Sequence, residues 1–238
     1  MKGMILAAGE GRRLRPLTNN KPKALVEIKG VSLLEILIRK FIQFEITDIV
    51  INTCYLANQI EEFLTKHKNF GINIQLSKED VLLDTGGGIK QAGKLLGQEE
   101  DILVHNVDII SNIDFNKLSD FHQASNGIAS LAVSHRQGSR YFLFNEQKHL
   151  CGWTNVSTKE EKISKSDGIQ HKIAFSGIQI ISPKLFQYMP SEKVFSLVDL
   201  YLHVCKYEKI MAYEHNASDW YDVGKIQDIE FIKQNVTF

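Results

Sequence analysis

The chain has 238 residues, 43% hydrophobic and 24% charged, with only 4 Pro and 16 Gly, a composition that excludes a disordered or fibrous protein. Its 28 basic and 28 acidic side chains cancel, so net charge recommends neither nucleic acid nor an anionic membrane as a partner. No apolar run reaches the roughly 18 residues of a membrane span, and Met4–Ala8 is too short, and too closely followed by Glu10, Arg12 and Arg13, for a secretory leader.

Lys2 to Leu6 reads as a buried strand. Leu33, Leu34, Leu37, Ile38, Phe41 and Ile42 line one face of a helix. A strand over 48–53, a helix over 58–67, a strand over 72–76, a helix over 89–96 and a strand over 102–107 follow. This alternation predicts an α/β fold, a Rossmann-like, mostly parallel sheet with helices on both faces, whose strands end on one ligand-binding edge. After an apolar run at 128–133 the rhythm changes: 140–150 alternates around Asn145-Glu146-Gln147 as a hairpin would, and 154–171 is polar without a period. A strand over 172–181 and helices over 196–206 and 225–234 return to the core pattern. One domain, 1–238, is expected, with a small substrate sub-lobe at about 136–172.

Charge is uneven along this frame. Residues 1–40 carry nine basic side chains against three acidic ones. Cys54, Cys151 and Cys205 form no C-x-x-C pair, which suits a reducing, cytoplasmic setting and offers no zinc site. The basic residues gather where Ile5 to Thr18 reads I-L-A-A-G-E-G-R-R-L-R-P-L-T, followed by Lys21-Pro22-Lys23. Gly9 and Gly11 after a strand let backbone amides approach a polyanion. Leu14 replaces the third Gly of a dinucleotide fingerprint, and no Walker A motif is present. Arg13 offers a fork and Lys23 a mobile point charge to several phosphates.

The stretch resembles the signature of the sugar-phosphate nucleotidyltransferases, L-A-[AG]-G-x-G-x-R-[LM]-x-P-L-T with a following K-P-K. The resemblance continues through Asp84-Thr85-Gly86-Gly87-Gly88, Asn106-Val107-Asp108, Phe175-Ser176-Gly177 and Trp220-Tyr221-Asp222-Val223-Gly224. The short N-acetylmuramate 1-phosphate uridylyltransferases and mannose-1-phosphate guanylyltransferases are most similar. It implies the nucleotide-diphospho-sugar transferase fold and transfer of NMP from an NTP to a sugar 1-phosphate, with Mg²⁺ as cofactor and pyrophosphate leaving. Asp108 ends an apolar strand at the ligand edge, where a hard oxygen donor suits Mg²⁺, and the resemblance implies Asp222 as the second ligand, not Asp219. It assigns Arg13 to the triphosphate and leaving group, and Lys23 to the α-phosphate or sugar phosphate.

Leu6, Ala7, Ala8, Gly9, Gly11, Thr85, Gly86, Gly87 and Asn106 are the implied nucleotide contacts, the glycines at 86–88 starting a helix whose amides face a ligand. Ala8, with the Asp84–Gly88 block, resembles the uridylyltransferases more than the guanylyltransferases, which implies UTP over GTP. Ser176 and Gly177 would present a hydroxyl and a close backbone to the sugar. Two departures stand out. Val107 replaces a common Gly, and Gly152-Trp153-Thr154-Asn155 replaces a sugar-gripping Glu-Lys-Pro, leaving Trp153 and Asn155 open as a sugar stack and hydroxyl partner or as a core Trp and turn Asn. Arg136, Arg140 and Lys172 are candidates for the missing lysine. A monomer or homodimer is expected. Phosphocholine or heptose phosphate acceptors, and a non-catalytic nucleotide-binding regulator, remain alternatives. No stretch is long enough for a C-terminal left-handed β-helix, so no second acyltransferase activity is expected.

Overall fold

The computed structural model describes residues 1–235. In chain order the elements are β1 (Lys2–Leu6), β2 (Glu27–Ile28), β3 (Val31–Ser32), α1 (Leu33–Gln43), β4 (Asp48–Thr53), α2 (Ala57–Lys66), β5 (Asn73–Lys78), α3 (Asp84–Leu96), β6 (Ile102–Asn106), β7 (Ile109–Ser111), α4 (Phe115–Ser125), β8 (Ala129–Ser134), β9 (Arg140–Phe144), β10 (Leu150–Asn155), β11 (Glu160–Ile163), β12 (His171–Ile181), α5 (Leu197–Val204), β13 (Ile210–Glu214), β14 (Trp220–Asp222) and α6 (Ile226–Asn235).

Strands β6, β1, β4 and β5 run parallel in that order, with Ile5 opposite His105 on one side and Ile51 on the other. Because all four strands are parallel, their C-terminal ends share one edge. Alternate side chains of these strands serve two cores. Ile5, Ile49, Ile51 and Leu103 pack with α1, α4 and α6, while Met4, Val50, Ile102 and Val104 pack with α3 and α5.

Beyond β6 the sheet is mixed: β12 runs antiparallel to its neighbours, while β13 pairs parallel with β8. The eleven-residue β12 pairs with β6, with β8 through a bulge between Phe175 and Gln179, and with β9. The 136–172 stretch supplies β9, β10 and β11, which continue this sheet outward. Its polar part, without a readable period, still forms β11 because Gly152 to Asn155 offers a ladder to Glu160–Ile163.

Helix α4 and strands β7, β13 and β14 carry no clear signal in the sequence. Only Phe115, Leu118 and His122 of α4 are buried, and the helix is set by Asp114, whose Oδ1 accepts from the amides of Asn116 and Lys117. Helix α3 starts at Asp84, five residues before the expected Ile89, since its first turn is built of glycines.

Candidate active site

Leu6 and Asn106 lie side by side at the ends of β1 and β6. Val107 N donates to the Leu6 carbonyl at 3.1 Å, carrying the pairing past β6 and delivering Asp108 beside the loop that leaves β1. That loop turns on Gly11 at φ +64, where a Cβ would come within 3.0 Å of Lys23 Cβ and Thr18 Cγ2. Thr18 Oγ1 ties it by donating to the Gly11 carbonyl at 2.8 Å. A Cβ on Gly9 would meet nothing, so the crown of the loop faces open space.

Lys23 is buried and forms an ion pair with Asp108 Oδ2. On the other flank β14 pairs with β7, placing Asp222 opposite Ile109, and Val223 N donates to the Asp108 carbonyl at 2.8 Å. Burial raises the Asp222 carboxyl pKa, the Asp108 charge raises it further, and Lys23 and Arg13 oppose the shift. Asp222 Oδ1 is buried with no hydrogen-bond partner among the described residues. Gly224 lets Arg13 close in, since a Cβ there would lie 3.0 Å from both Arg13 Nη2 and Asp222 Oδ1.

Two carboxylates, one holding an orphaned buried oxygen, fit a hard divalent cation that draws its remaining ligands from phosphate and water. Among the described residues no group of three or more His, Cys, Asp or Glu is placed to hold a metal, so a cage built wholly from side chains is not what this site offers. Asp219 is tied elsewhere: its amide and carboxylate bond Asn112 at 2.8 and 3.0 Å.

The phosphate loop and Asp108 border a cavity of about 250 Å³, with Val107 in its wall. It adjoins a cleft of about 800 Å³ through their shared Arg13 and Gly224. Arg136, Arg140, Trp153, Trp220 and Asp222 line that cleft. Lys172 is exposed on β12 and lies outside its wall. Burial lowers the Arg136 pKa and the Asp222 charge opposes that shift.

Three sequence expectations change. Ser176 is fully buried, and its Oγ is hydrogen-bonded to His215 Nε2 at 2.6 Å, so no hydroxyl is presented to a sugar; Gly177, at φ +75, instead backs onto the Asn106 side chain. Asn155 Oδ1 accepts from the amides of Ser157 and Thr158 at 3.0 and 3.4 Å, which makes it the turn residue between β10 and β11. The amides of Gly86 and Gly87 donate to the Phe195 carbonyl at 3.0 and 3.2 Å, and Thr85 Oγ1 accepts from Leu197 N at 3.1 Å. The glycines do admit a close backbone, but it is the chain's own 193–197 segment.

Two polar residues escaped sequence reasoning. Asn52 Oδ1 accepts from Ala7 N at 2.8 Å, its Nδ2 donates to Glu79 Oε1 at 2.7 Å, and Glu79 Oε2 accepts from Leu83 N at 3.0 Å. This chain couples the phosphate loop to the start of α3. Burial raises the Glu79 pKa, while the bonds from Leu83 and Asn52 hold it down.

A family model described as nucleotidyl transferase matches residues 2–237. The chain belongs to the nucleotidyl transferase family. It is 32% identical over 230 residues to an N-acetylmuramate alpha-1-phosphate uridylyltransferase of Neisseria meningitidis, covering 95% of this chain and 94% of that one. It is 37% identical over 136 residues to a mannose-1-phosphate guanyltransferase of Hypocrea jecorina, covering 56% of this chain but only 37% of the relative. Among solved structures, a UDP-glucose pyrophosphorylase complexed with UDP-glucose superposes with a TM-score of 0.79 at 16% identity, covering 98% of this chain and 97% of that one, a likeness of fold. No helix of this nucleotidyltransferase among the described residues is long and apolar enough to cross a membrane.

Proposed function

We propose that this nucleotidyltransferase joins the NMP part of an NTP, UTP by preference, to a sugar 1-phosphate in a Mg²⁺-dependent reaction. The observation that carries the reading is the convergence of Asp108, Asp222, Lys23 and Arg13 on the loop after β1. Preference for UTP rests on the uridylyltransferase relative that matches along nearly its whole length and on Ala8 in the phosphate loop. The acceptor oxygen attacks the α-phosphorus, the bond from that phosphorus to the β-phosphate oxygen breaks, and pyrophosphate leaves. A phosphate monoester with a second pKa of about 6 is already mostly dianionic at neutral pH, so no general base is required.

The residues must therefore align two anions and neutralise their charge. Gly9 and Gly11 admit the triphosphate to the amides after β1, beside Leu6, Ala7, Ala8 and Asn106. Arg13 faces the leaving group and Lys23 the α-phosphate or the acceptor phosphate. Asp108 and Asp222 would hold Mg²⁺, which when bound offsets phosphate charge. The large cleft receives the sugar, with Trp153 and Arg140 in its outer wall. The whole chain is read as one catalytic unit, and its three free cysteines fit a reducing cytoplasm.

Pyrophosphate release from a panel of NTPs and sugar 1-phosphates tests the proposal. UTP with an amino-sugar or hexose 1-phosphate and Mg²⁺ is expected to turn over, and Asp108→Asn to lower the rate by at least about 10²-fold. Absence of pyrophosphate across the panel, or full activity in Asp108→Asn, overturns it.

A further inference from the structure

Strand β14 is three residues long and, among the described residues, pairs only with the equally short β7, apart from the main sheet. A two-stranded ribbon of this length is not stable by itself. Asp222, at its end, has a buried Oδ1 with no hydrogen bond from the described residues to hold it. Its position is therefore decided by what anchors the strand.

Besides the backbone bond from Val223 N to the Asp108 carbonyl and the Asp219–Asn112 pair, the strand has a side-chain anchor in Trp220, two residues before Asp222 and so on the same face. Its Nε1 donates to the Ser176 carbonyl at 2.8 Å. The Arg136 guanidinium lies over the indole, 3.9 Å from the ring centroid. Arg136 is itself fixed, donating from Nη1 to the Ala174 carbonyl at 3.0 Å and from Nη2 to the Phe175 carbonyl at 2.6 Å. The next residue, Ser176, bonds through its hydroxyl to His215, whose amide donates to the Val133 carbonyl at 3.0 Å. The carbonyls of Ala174 and Phe175, where β12 enters its bulge, thus hold Arg136 over the indole, and the Ser176 carbonyl holds the indole N–H.

We propose that Arg136 is a positioning residue that, by clamping Trp220 onto the β12 bulge, sets the reach of Asp222 toward the divalent cation. The inference rests on the reading of Asp108 and Asp222 as the cation's ligands. A planar guanidinium can stack and fork at once, whereas a lysine at the same place supplies a charge alone. Because Arg136 also lines the large cleft, direct contact with the acceptor is the competing role.

Binding of Mn²⁺ in the presence of a non-hydrolysable UTP analogue, followed by electron paramagnetic resonance, separates the two. Arg136→Met and Trp220→Phe are each expected to weaken Mn²⁺ binding by about tenfold, with the Mg²⁺ concentration for half-maximal rate rising in step. The acceptor KM should stay within about threefold, and Arg136→Lys should restore little. Unchanged Mn²⁺ affinity in Trp220→Phe overturns the clamp, as does unchanged affinity with a raised acceptor KM in Arg136→Met. Trp220→Phe keeps an aromatic ring in place and carries the test if Arg136→Met does not fold. Asp222→Asn is the reference: wild-type Mn²⁺ binding there refutes the metal-site reading itself, whereas loss there with no change in the clamp variants refutes only the clamp.

Discussion

Lys23 and Asp108 form an ion pair whose side chains are only 11% and 22% exposed, and under the proposed function the pair serves both stability and chemistry. Replacing Lys23 by Met removes the counter-charge and leaves a mostly buried carboxylate, which costs on the order of 2–3 kcal/mol, at or below the lower limit for fully buried pairs because some solvent reaches Asp108. Asp108→Asn alone strands the ammonium with a similar loss. The double variant removes both charges, so its loss of stability should fall short of the sum of the two single losses by about 2 kcal/mol, a coupling readable in a double-mutant cycle. For a chain of this size 2 kcal/mol is roughly 4–8 °C in the unfolding midpoint. Thermal or urea unfolding in the presence of a chelator, so that no cation stands in for Lys23, measures it. Activity must behave differently: both single variants and the double should lose about 10²-fold or more in pyrophosphate release. Strict additivity of the stability changes would show that the pair does not exist in solution, and a double variant recovering activity along with stability would remove Lys23 from the chemistry.

Asn52→Ala takes the acceptor from Ala7 N and the donor from Glu79; unfolding should show a loss of about 1–3 kcal/mol, and initial rates an NTP KM raised by about tenfold, an unchanged KM showing that the phosphate loop does not lean on this bond. Ser176→Ala removes a fully buried hydroxyl and leaves His215 Nε2 without its partner, so stability should fall by about 1–2 kcal/mol while the acceptor KM stays put; a raised acceptor KM with intact stability would return this hydroxyl to the sugar. His105, enclosed between Phe41 and Phe115, has its pKa pushed down to about 3 by burial and by the Lys40 charge. The unfolded histidine takes up its proton below about pH 6.5 while the folded one stays neutral to about 3, so this contribution is complete above 6.5 and lost as pH falls through that window, by about 1.4 kcal/mol per unit. Between pH 6.5 and 5 the loss is about 2 kcal/mol, and His105→Leu should flatten the slope of unfolding free energy by about one proton; an identical slope in the variant refutes the assignment.

The elements legible in the sequence are those whose burial repeats locally. The bounds of strand β4 are legible because all but its first residue are buried, and the inner face of α1 because five apolar side chains return to it. Helix α4 escaped because three buried positions in eleven residues leave too weak a stripe, and Asp114 capping supplies what the stripe does not. In the site, Asp108 was readable from chemistry, as the residue just past an apolar strand. Asp222 was readable only through family resemblance, since a three-residue strand paired with a distant partner leaves no periodic trace.

What a glycine or a hydroxyl meets is a different kind of information from where it sits. Gly86, Gly87 and Gly88 announce that something approaches too closely for a Cβ, yet the approaching atoms come from Phe195, Lys193 and Asn52, more than a hundred residues downstream in two cases. Phe175-Ser176-Gly177 announces a hydroxyl beside a kink, and His215 decides that it is buried. Asn52 reaches Ala7 only because the parallel register of β1 and β4 sets Leu6 opposite Asn52. In each case the backbone demand is local and its partner is fixed by strand order. A motif built of glycines and small polar residues therefore locates the crowded end of the sheet reliably, but whether substrate or chain fills it is settled by the C-terminal third of the molecule, where β12, β13 and β14 fold back onto the loops of the first.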